Sequence, residues 1–514
     1  MKSTILPGAI GLLATVAQVS MAQTDDASAP KKPNIIYIMC DDMGYGDLGC
    51  YGQKLISTPN IDRMASEGMR FTQAYAGSPV SAPSRATFMT GQHSGHTHVR
   101  GNKEYWRNTA VNDPRYNGLS EYSVVGQEPY DPNHKIIPEI LKDNGYTTGM
   151  FGKWAGGYEG SASTPDKRGI DEYYGFICQF QAHLYFPNFL NEYVSGVNPT
   201  TERVTLTENV KHAMYGEDYK NRTQYSADLI HGKALEWLER QSDEKPFFGI
   251  FTYTLPHAEL AQPDDEILRE YNERYREYDE KVFGGDEGSR YNPTKNAHAQ
   301  FAGMITRLDR QVGEIMALLE KKGLDKNTVL IFTSDNGPHE EGGADPTFFN
   351  RDGLLRGLKR SCHEGGIRIP FIVRWPEKIK PGSVSDHQFA FYDLMSTFCD
   401  IAGVENYEER YRNDSIENDY FDGISIYPTL VGEGEQKCHD ALYWEFHETD
   451  MMAVRKGNWK LVVDHGECML YDLDSDIHED HDLADRHPEI VDELKAVIAR
   501  EHTDSDIFKV TLPK

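Results

Sequence analysis

Basic residues are in short supply. Lys and Arg number 53 against 81 Asp and Glu, which leaves a net charge of −28. A chain so acidic does not have a nucleic-acid backbone as its main partner, because phosphate neutralisation needs a basic surface. A small anionic substrate stays compatible, since a local positive pocket can form inside an acidic protein. Cysteine is scarce too. The seven cysteines (Cys40, Cys50, Cys178, Cys362, Cys399, Cys438, Cys468) are odd in number and scattered, with no Cys-x-x-Cys pair. They encode neither a disulfide framework nor a thiolate metal cluster. Long apolar runs are nearly absent, and a mean hydropathy of −0.61 excludes a multi-spanning membrane protein. The one candidate, Ile5 to Val19, follows Lys2, is broken by Pro7 and Gly8, and ends in Ser20-Met21-Ala22. It reads as a cleavable export signal over residues 1–22, predicting a periplasmic or secreted protein with no membrane span.

What remains is a chain of 514 residues, long enough to bury a large core. Asn34 to Cys40 is a short apolar run ending in Asp41-Asp42, the pattern of a buried strand with a polar end. Similar runs recur at Thr147 to Phe151, Pro246 to Tyr253, Thr328 to Thr333 and Ile369 to Arg374. Helical periodicity falls between them, at Ile61 to Glu67, Ile136 to Asn144, Ser226 to Glu239, Ala299 to Lys321 and Tyr392 to Ala402. The alternation predicts an α/β fold over residues 34–435, a large sheet sandwiched by helices. Residues 436–514 read as a small antiparallel α+β subdomain. Its strands are Ala441 to Phe446, Met452 to Arg455, Trp459 to Val463 and Met469 to Asp472, with Gly457-Asn458 as a hairpin signal and a final helix from Pro488 to Arg500. The polar, Tyr-rich segments 104–134 and 262–298 read as surface insertions.

Asp41, Asp42, Asp335 and Asn336 stand at the ends of apolar strands almost three hundred residues apart. Adjacent carboxylates at a strand end repel and need a cation or a proton between them. An all-oxygen set without His or Cys favours a hard ion, calcium or magnesium. Taken singly, each is an ordinary cap or turn residue; a metal explains all four together. Around Ser81 the residues also allow a plain reading, with Ser81 as a helix cap and Pro83 opening the helix.

The same segment carries a resemblance. Ser81-Ala-Pro83-Ser84-Arg85-Ala86, closing on Thr90-Gly91, matches the pattern Ser/Cys-x-Pro-Ser-Arg-Ala-x-x-x-Thr-Gly. Asp41-Asp42-Met-Gly-Tyr-Gly-Asp47 precedes it. Gly152-Lys153-Trp154, Pro256-His257, Ser334-Asp335-Asn336-Gly337, and Gly357-Leu-Lys359 before Glu364-Gly365-Gly366 follow in order. Together they make the chain resemble the type I, formylglycine-dependent sulfatases of the alkaline-phosphatase superfamily, over roughly residues 33 to 472. The resemblance implies an alkaline-phosphatase-like fold and hydrolysis of sulfate esters on a sulfated carbohydrate. The Gln181-Ala182-His183 segment is similar to gut-bacterial glycan sulfatases, favouring galactose or N-acetylgalactosamine sulfate of host mucin or glycosaminoglycan glycans. It further implies a calcium ion held by Asp41, Asp42, Asp335 and Asn336 with Ser81. Ser81 would be converted to formylglycine (3-oxoalanine) by a radical maturase that accepts serine. The hydrate would attack sulfur with one hydroxyl and expel sulfate with the other. Arg85 would orient it, Lys153 and Lys359 would contact sulfate, and His257 would protonate the leaving oxygen.

One position departs from the family pattern. Ala155 follows Trp154 where the family usually places a His that helps deprotonate the hydrate. His183 is the candidate substitute, either as that base or as a sugar contact. Arg100 and Asn102, in His98-Val99-Arg100-Gly101-Asn102, are candidate sugar-binding residues. His93 and His96 lack the spacing of one helix face, and no metal is expected there. Two other readings stay open: a phosphatase or phosphodiesterase of the same superfamily using Ser81 itself, and a non-catalytic glycan-binding homologue.

Overall fold

The computed structural model describes Met1 and residues 31–106, 124–278, 281–284, 291–416 and 419–514. The export signal expected over residues 1–22 lies, apart from Met1, outside the described residues. In chain order the strands are β1 (Asn34–Cys40), β2 (Met69–Tyr75), β3 (Glu104–Trp106), β4 (Val124–Gln127), β5 (Thr147–Lys153), β6 (Glu172–Phe176), β7 (Phe189–Val194) and β8 (Glu202–Thr205). They continue with β9 (Phe247–Thr252), β10 (Thr328–Ser334), β11 (Arg368–Arg374), β12 (Ser383–Ser385), β13 (Phe389–Ala390), β14 (Leu442–Phe446), β15 (Met451–Lys456), β16 (Trp459–Asp464) and β17 (Glu467–Asp472).

Eleven strands form one mixed sheet in the order β12-β2-β11-β10-β1-β9-β5-β6-β7-β8, with β13 also paired to β2. The five apolar runs of the sequence are its contiguous centre, β11-β10-β1-β9-β5. Strands β10, β1, β9, β5 and β6 run parallel to one another, and β11 and β7 flank them antiparallel. Every residue of β1, β9 and β10 is buried, as a parallel sheet covered on both faces requires. The pleat of β1 divides its side chains between two cores. Ile36 and Ile38 pack with Trp237, Phe301 and Leu308 of helices Ser226–Glu239 and Ala297–Lys322. Ile35, Tyr37 and Met39 pack on the other face with Phe88, Ile140 and Phe398 of helices Ser81–Thr90, Ile137–Asp143 and Asp393–Ile401.

The outer strands have no apolar run. In β8 all four residues keep some exposure, and β2 alternates apolar and polar side chains, so the helix-and-run pattern passes over both. Two segments expected to be surface insertions are partly built into the fold. Val124–Gln127 is buried and pairs with Glu104–Trp106. Helix Glu266–Tyr275 buries Leu268, Tyr271 and Tyr275, because its tyrosines fall on one helical face.

The second sheet, β14-β15-β16-β17, is antiparallel throughout. Gly457-Asn458 closes β15 onto β16, with Lys456 opposite Trp459 and Gly457 at φ 61°. Helix Pro488–Glu501 covers one face with Leu494, Val497 and Ile498. The other face packs Trp444 and Phe446 against Tyr75, Val80 and Ile367 of the main body. Fully buried Lys460 reaches across this junction to Glu364 at 2.9 Å and Glu479 at 3.0 Å. Residues 32–514 form one compact unit. All seven cysteines are unbridged, and no described helix is long and apolar enough to cross a membrane.

Candidate active site

The sheet's register brings the distant motifs together. Because β1 and β10 run parallel with Cys40 opposite Ser334, Asp41-Asp42 and Asp335-Asn336 leave the same sheet edge side by side. Next to them β9 ends at Thr252, ahead of His257, and β5 ends at Lys153. The site therefore stands at the carboxyl ends of four adjacent parallel strands, where open α/β sheets place their ligands. Ser81 arrives from the loop after β2. Gly77 in that loop has no room for a side chain, since a Cβ there would meet Thr87 Oγ1 at 1.5 Å. The helix begins at Ser81, and no side chain caps it. Ser81 is thus not a cap: its Oγ donates to Asp41 Oδ1 at 2.8 Å.

Around Asp41 and Asp42 the cations are arranged in close order. Lys153 Nζ donates to Asp41 Oδ2 at 2.6 Å, and Lys359 Nζ to Asp42 Oδ2 at 2.7 Å. Arg85 donates through Nε and Nη2 to Asp335 Oδ2 at 3.0 and 2.8 Å, with Nη2 3.7 Å from Asp41 Oδ2. Asp335 Oδ1 accepts the Asp42 backbone N–H at 3.1 Å. Burial alone would raise the Asp41 carboxyl, but the charges of Lys153 and Arg85 outweigh it and hold it well below the usual range. For Asp335 burial wins, with Asp41 adding to it, and the carboxyl is pushed up to about 6. Asn336 Oδ1 is a buried acceptor with no partner. Asp42 adopts a left-handed φ of 60°, a conformation that costs energy outside glycine and is kept where function requires it. Carboxylates held this way beside an orphaned amide oxygen fit a hard cation.

His257 faces the same carboxylates. Its Nε2 lies 3.0 Å from Lys359 Nζ and 3.2 Å from Asp42 Oδ2, while Nδ1 hydrogen-bonds the Ala258 carbonyl. Burial, then the Lys359 charge, keeps the ring neutral below its ordinary range. Imidazoles lie against both faces: His183 at 4.4 Å and 13°, His339 at 5.5 Å and 22°. His183 carries a buried Nδ1 without a hydrogen-bond partner.

A cavity of about 590 Å³ opens over these groups, lined by Ser81, Lys153, His183, His257 and Lys359, and by Asn102. Arg100 is placed elsewhere. Its guanidinium is buried against Glu445 Oε1 at 2.9 Å and Thr503 Oγ1 at 2.7 Å, so it clamps the second sheet rather than facing this cavity. Ala155 is fully buried at φ 58° and does not line the cavity. Several lining residues had no sequence signal: Glu104, Gln179, Tyr291, Glu341, Arg360 and Glu448 are polar residues of loops or short strands with no spacing to mark them. His339, three residues after Asn336, is buried beside His257 and could have been found only by its proximity to the Asp335-Asn336 motif.

The family model described as Sulfatase matches residues 33–404, most of the chain. The chain belongs to the sulfatase family. A second model, N-sulphoglucosamine sulphohydrolase C-terminal, matches residues 358–504 and so takes in the second sheet of this sulfatase. The sulfatase is 30% identical to the N-acetylgalactosamine-6-O-sulfatase of Bacteroides thetaiotaomicron, over 96% of this chain and 97% of that protein. It is also 30% identical to the N-acetylgalactosamine-6-sulfatase of Rattus norvegicus, over 84% of this chain and 72% of that one. Among solved structures, Ps i-CgsB superposes with a TM-score of 0.71 at 25% identity, covering 94% of this chain and 96% of its own. Phosphonate monoester hydrolase of Agrobacterium radiobacter, at 19% identity and a TM-score of 0.58, shares the fold alone. The sulfatase is a sulfuric ester hydrolase with the alkaline-phosphatase-like architecture.

Proposed function

We propose that this sulfatase is exported and removes a sulfate ester from a sulfated carbohydrate, an N-acetylgalactosamine or galactose sulfate. The observation that carries the reading is the convergence of Lys153, Lys359 and His257 on Asp41 and Asp42, beside Ser81, in one cavity. The name of the Bacteroides thetaiotaomicron relative supports position 6 of N-acetylgalactosamine.

Ser81 is the residue to be matured to formylglycine, by a maturase that accepts serine, and its hydrate would supply the attacking oxygen. Asp41, Asp42, Asp335 and Asn336 would hold a calcium ion, which would bind a sulfate oxygen and offset its charge. The chain's own groups do the rest. Lys153 and Lys359 place two cations where sulfate charge spreads in the transition state. Arg85, anchored on Asp335 and 3.7 Å from the Asp41 carboxylate that accepts from Ser81, would orient the hydrate. Lys359 donates a hydrogen bond to His257 Nε2, so this pair holds the proton destined for the leaving sugar oxygen. His183, with an unpartnered Nδ1, is the base that replaces the missing His at Ala155.

Sulfate release should be followed with matured enzyme on a panel of monosulfated galactose and N-acetylgalactosamine. Release from at least one sugar is the expected result. Failure on every sugar, by a protein that cleaves a simple aryl sulfate, would remove the carbohydrate reading.

A further inference from the structure

One buried cation takes no part in the chemistry described so far. Arg351 follows the short helix Pro346–Phe349, is fully buried and does not line the cavity. Its guanidinium donates to three targets. Nε meets both oxygens of Asp47 at 3.2 Å, Nη2 meets the Asp42 carbonyl oxygen at 3.0 Å, and Nη1 meets the His339 carbonyl oxygen. The group also lies over the Phe301 ring, 3.9 Å from its centroid. Asp47 is as deeply buried, and its Oδ2 accepts the Gly44 N–H at 2.7 Å.

Two of these targets lead into the active site. The Asp42 carbonyl belongs to the residue held at φ 60°, and such a conformation persists only where its surroundings over-determine it. The segment after Asp42 closes directly on Arg351. Gly46 N–H donates to the Arg351 carbonyl oxygen at 2.8 Å, and a Cβ on Gly44 would meet that oxygen at 2.1 Å. On the other side, His339 Nδ1 accepts the Glu341 N–H at 3.1 Å, which leaves the ring proton on Nε2. Nε2 donates to the Pro256 carbonyl oxygen at 3.3 Å, and the ring lies against His257.

A cation serving by charge alone would repel a metal ion bound nearby. Asp47 neutralises Arg351, so what remains is direction: a rigid fork of donors that reaches three acceptors at once, which a single ammonium does not. We propose that Arg351, neutralised by Asp47, is a positioning residue that locks the backbone of Asp42 in its metal-binding conformation and, through His339, fixes His257 beside it. The inference rests on the reading of Asp41, Asp42, Asp335 and Asn336 as a calcium site, and it names what holds that site in shape.

The test titrates calcium into chelator-treated full-length protein and measures Kd, with Tm recorded in the absence of calcium. The double variant Arg351→Gln, Asp47→Asn removes both charges together and leaves no buried charge unpaired. Arg351→Lys keeps the charge without the fork. Both should bind calcium roughly tenfold to a hundredfold more weakly than wild type. At saturating calcium, kcat/KM should fall further on a sugar sulfate than on 4-nitrophenyl sulfate, whose leaving group needs less help from His257. A role confined to stability would lower the calcium-free Tm and leave Kd unmoved. A wild-type Kd in the double variant, or in Arg351→Lys should the double variant not fold, would overturn the inference while leaving the calcium reading in place. An equal loss on the two substrates would overturn the part that concerns His257. Wild type that binds no calcium would overturn both the inference and the calcium reading.

Discussion

His183 and His257 lie face to face, their ring centroids 4.4 Å apart and their planes 13° from parallel. The stack fixes the plane of His257 while its two nitrogens face Lys359 and the Ala258 carbonyl. It also brings a second imidazole to the cavity. Burial, reinforced by the charges of Lys153 and Lys359, holds His183 well below its ordinary range, so it stands neutral and able to accept a proton.

If His183 is the base, His183→Ala should lower kcat on the order of 10²–10⁴-fold with little change in KM. The loss should be similar on a sugar sulfate and on 4-nitrophenyl sulfate. Steady-state kinetics on both substrates check this. A raised KM confined to the sugar would instead make His183 a substrate contact, and unaltered kinetics would reduce it to packing.

Calcium should stabilise the folded protein through the four strand-end residues. A ligand that binds only the native state adds about 2.7 kcal/mol at a hundredfold excess over its Kd. The rise in Tm on adding calcium should be lost in Asn336→Ala and in Asp335→Asn. Asp335→Asn keeps the size of the side chain and leaves Arg85 a hydrogen-bond acceptor. An undiminished calcium response in both variants would remove the metal assignment.

Arg100 and Asn102 should separate cleanly. Arg100→Ala breaks a buried pair with Glu445 and should cost about 3–5 kcal/mol of stability while leaving KM unchanged. Asn102→Ala should raise KM for the sugar at nearly unchanged Tm. Denaturant melts beside kinetics give both readouts. A raised sugar KM in Arg100→Ala would return that residue to the substrate site.

The junction between the sheets should weaken in acid. Glu479 is held at about 2: burial works against this, but Lys460 and His363 outweigh it. A carboxyl depressed in the folded state contributes stability that is fully present above its unfolded value of about 4.3 and is lost as pH falls toward 2. The contribution is on the order of 2–3 kcal/mol. Stability measured between pH 5 and 2 should fall more steeply in wild type than in Glu479→Gln. Parallel profiles would contradict the assignment.

The centre of the fold was legible because its strands are buried on both faces and read as unbroken apolar runs, as Asn34–Cys40 does. The reactive residues were legible for a related reason. Asp41, Lys153 and Asp335 each stand at or just after the end of such a run, and parallel register carries strand ends to one edge. Arg100 went astray because a motif places a residue near a cleft without fixing which way its side chain turns; here Glu445, from a strand 345 residues away, turns it inward. Gln179 and Glu448 gave no signal, since a loop amide becomes meaningful only once Asn102 folds against it.

The central claim is that the reacting oxygen belongs to a converted Ser81, and peptide mass spectrometry tests it most directly. The protein should be produced with a serine-accepting radical maturase, and a preparation releasing sulfate should be digested and the peptide containing Ser81 weighed. The account expects that peptide to have lost two hydrogens, with Ser81→Ala unmodified and inactive. Full sulfate release by protein whose Ser81 peptide retains the mass of unmodified serine would contradict it.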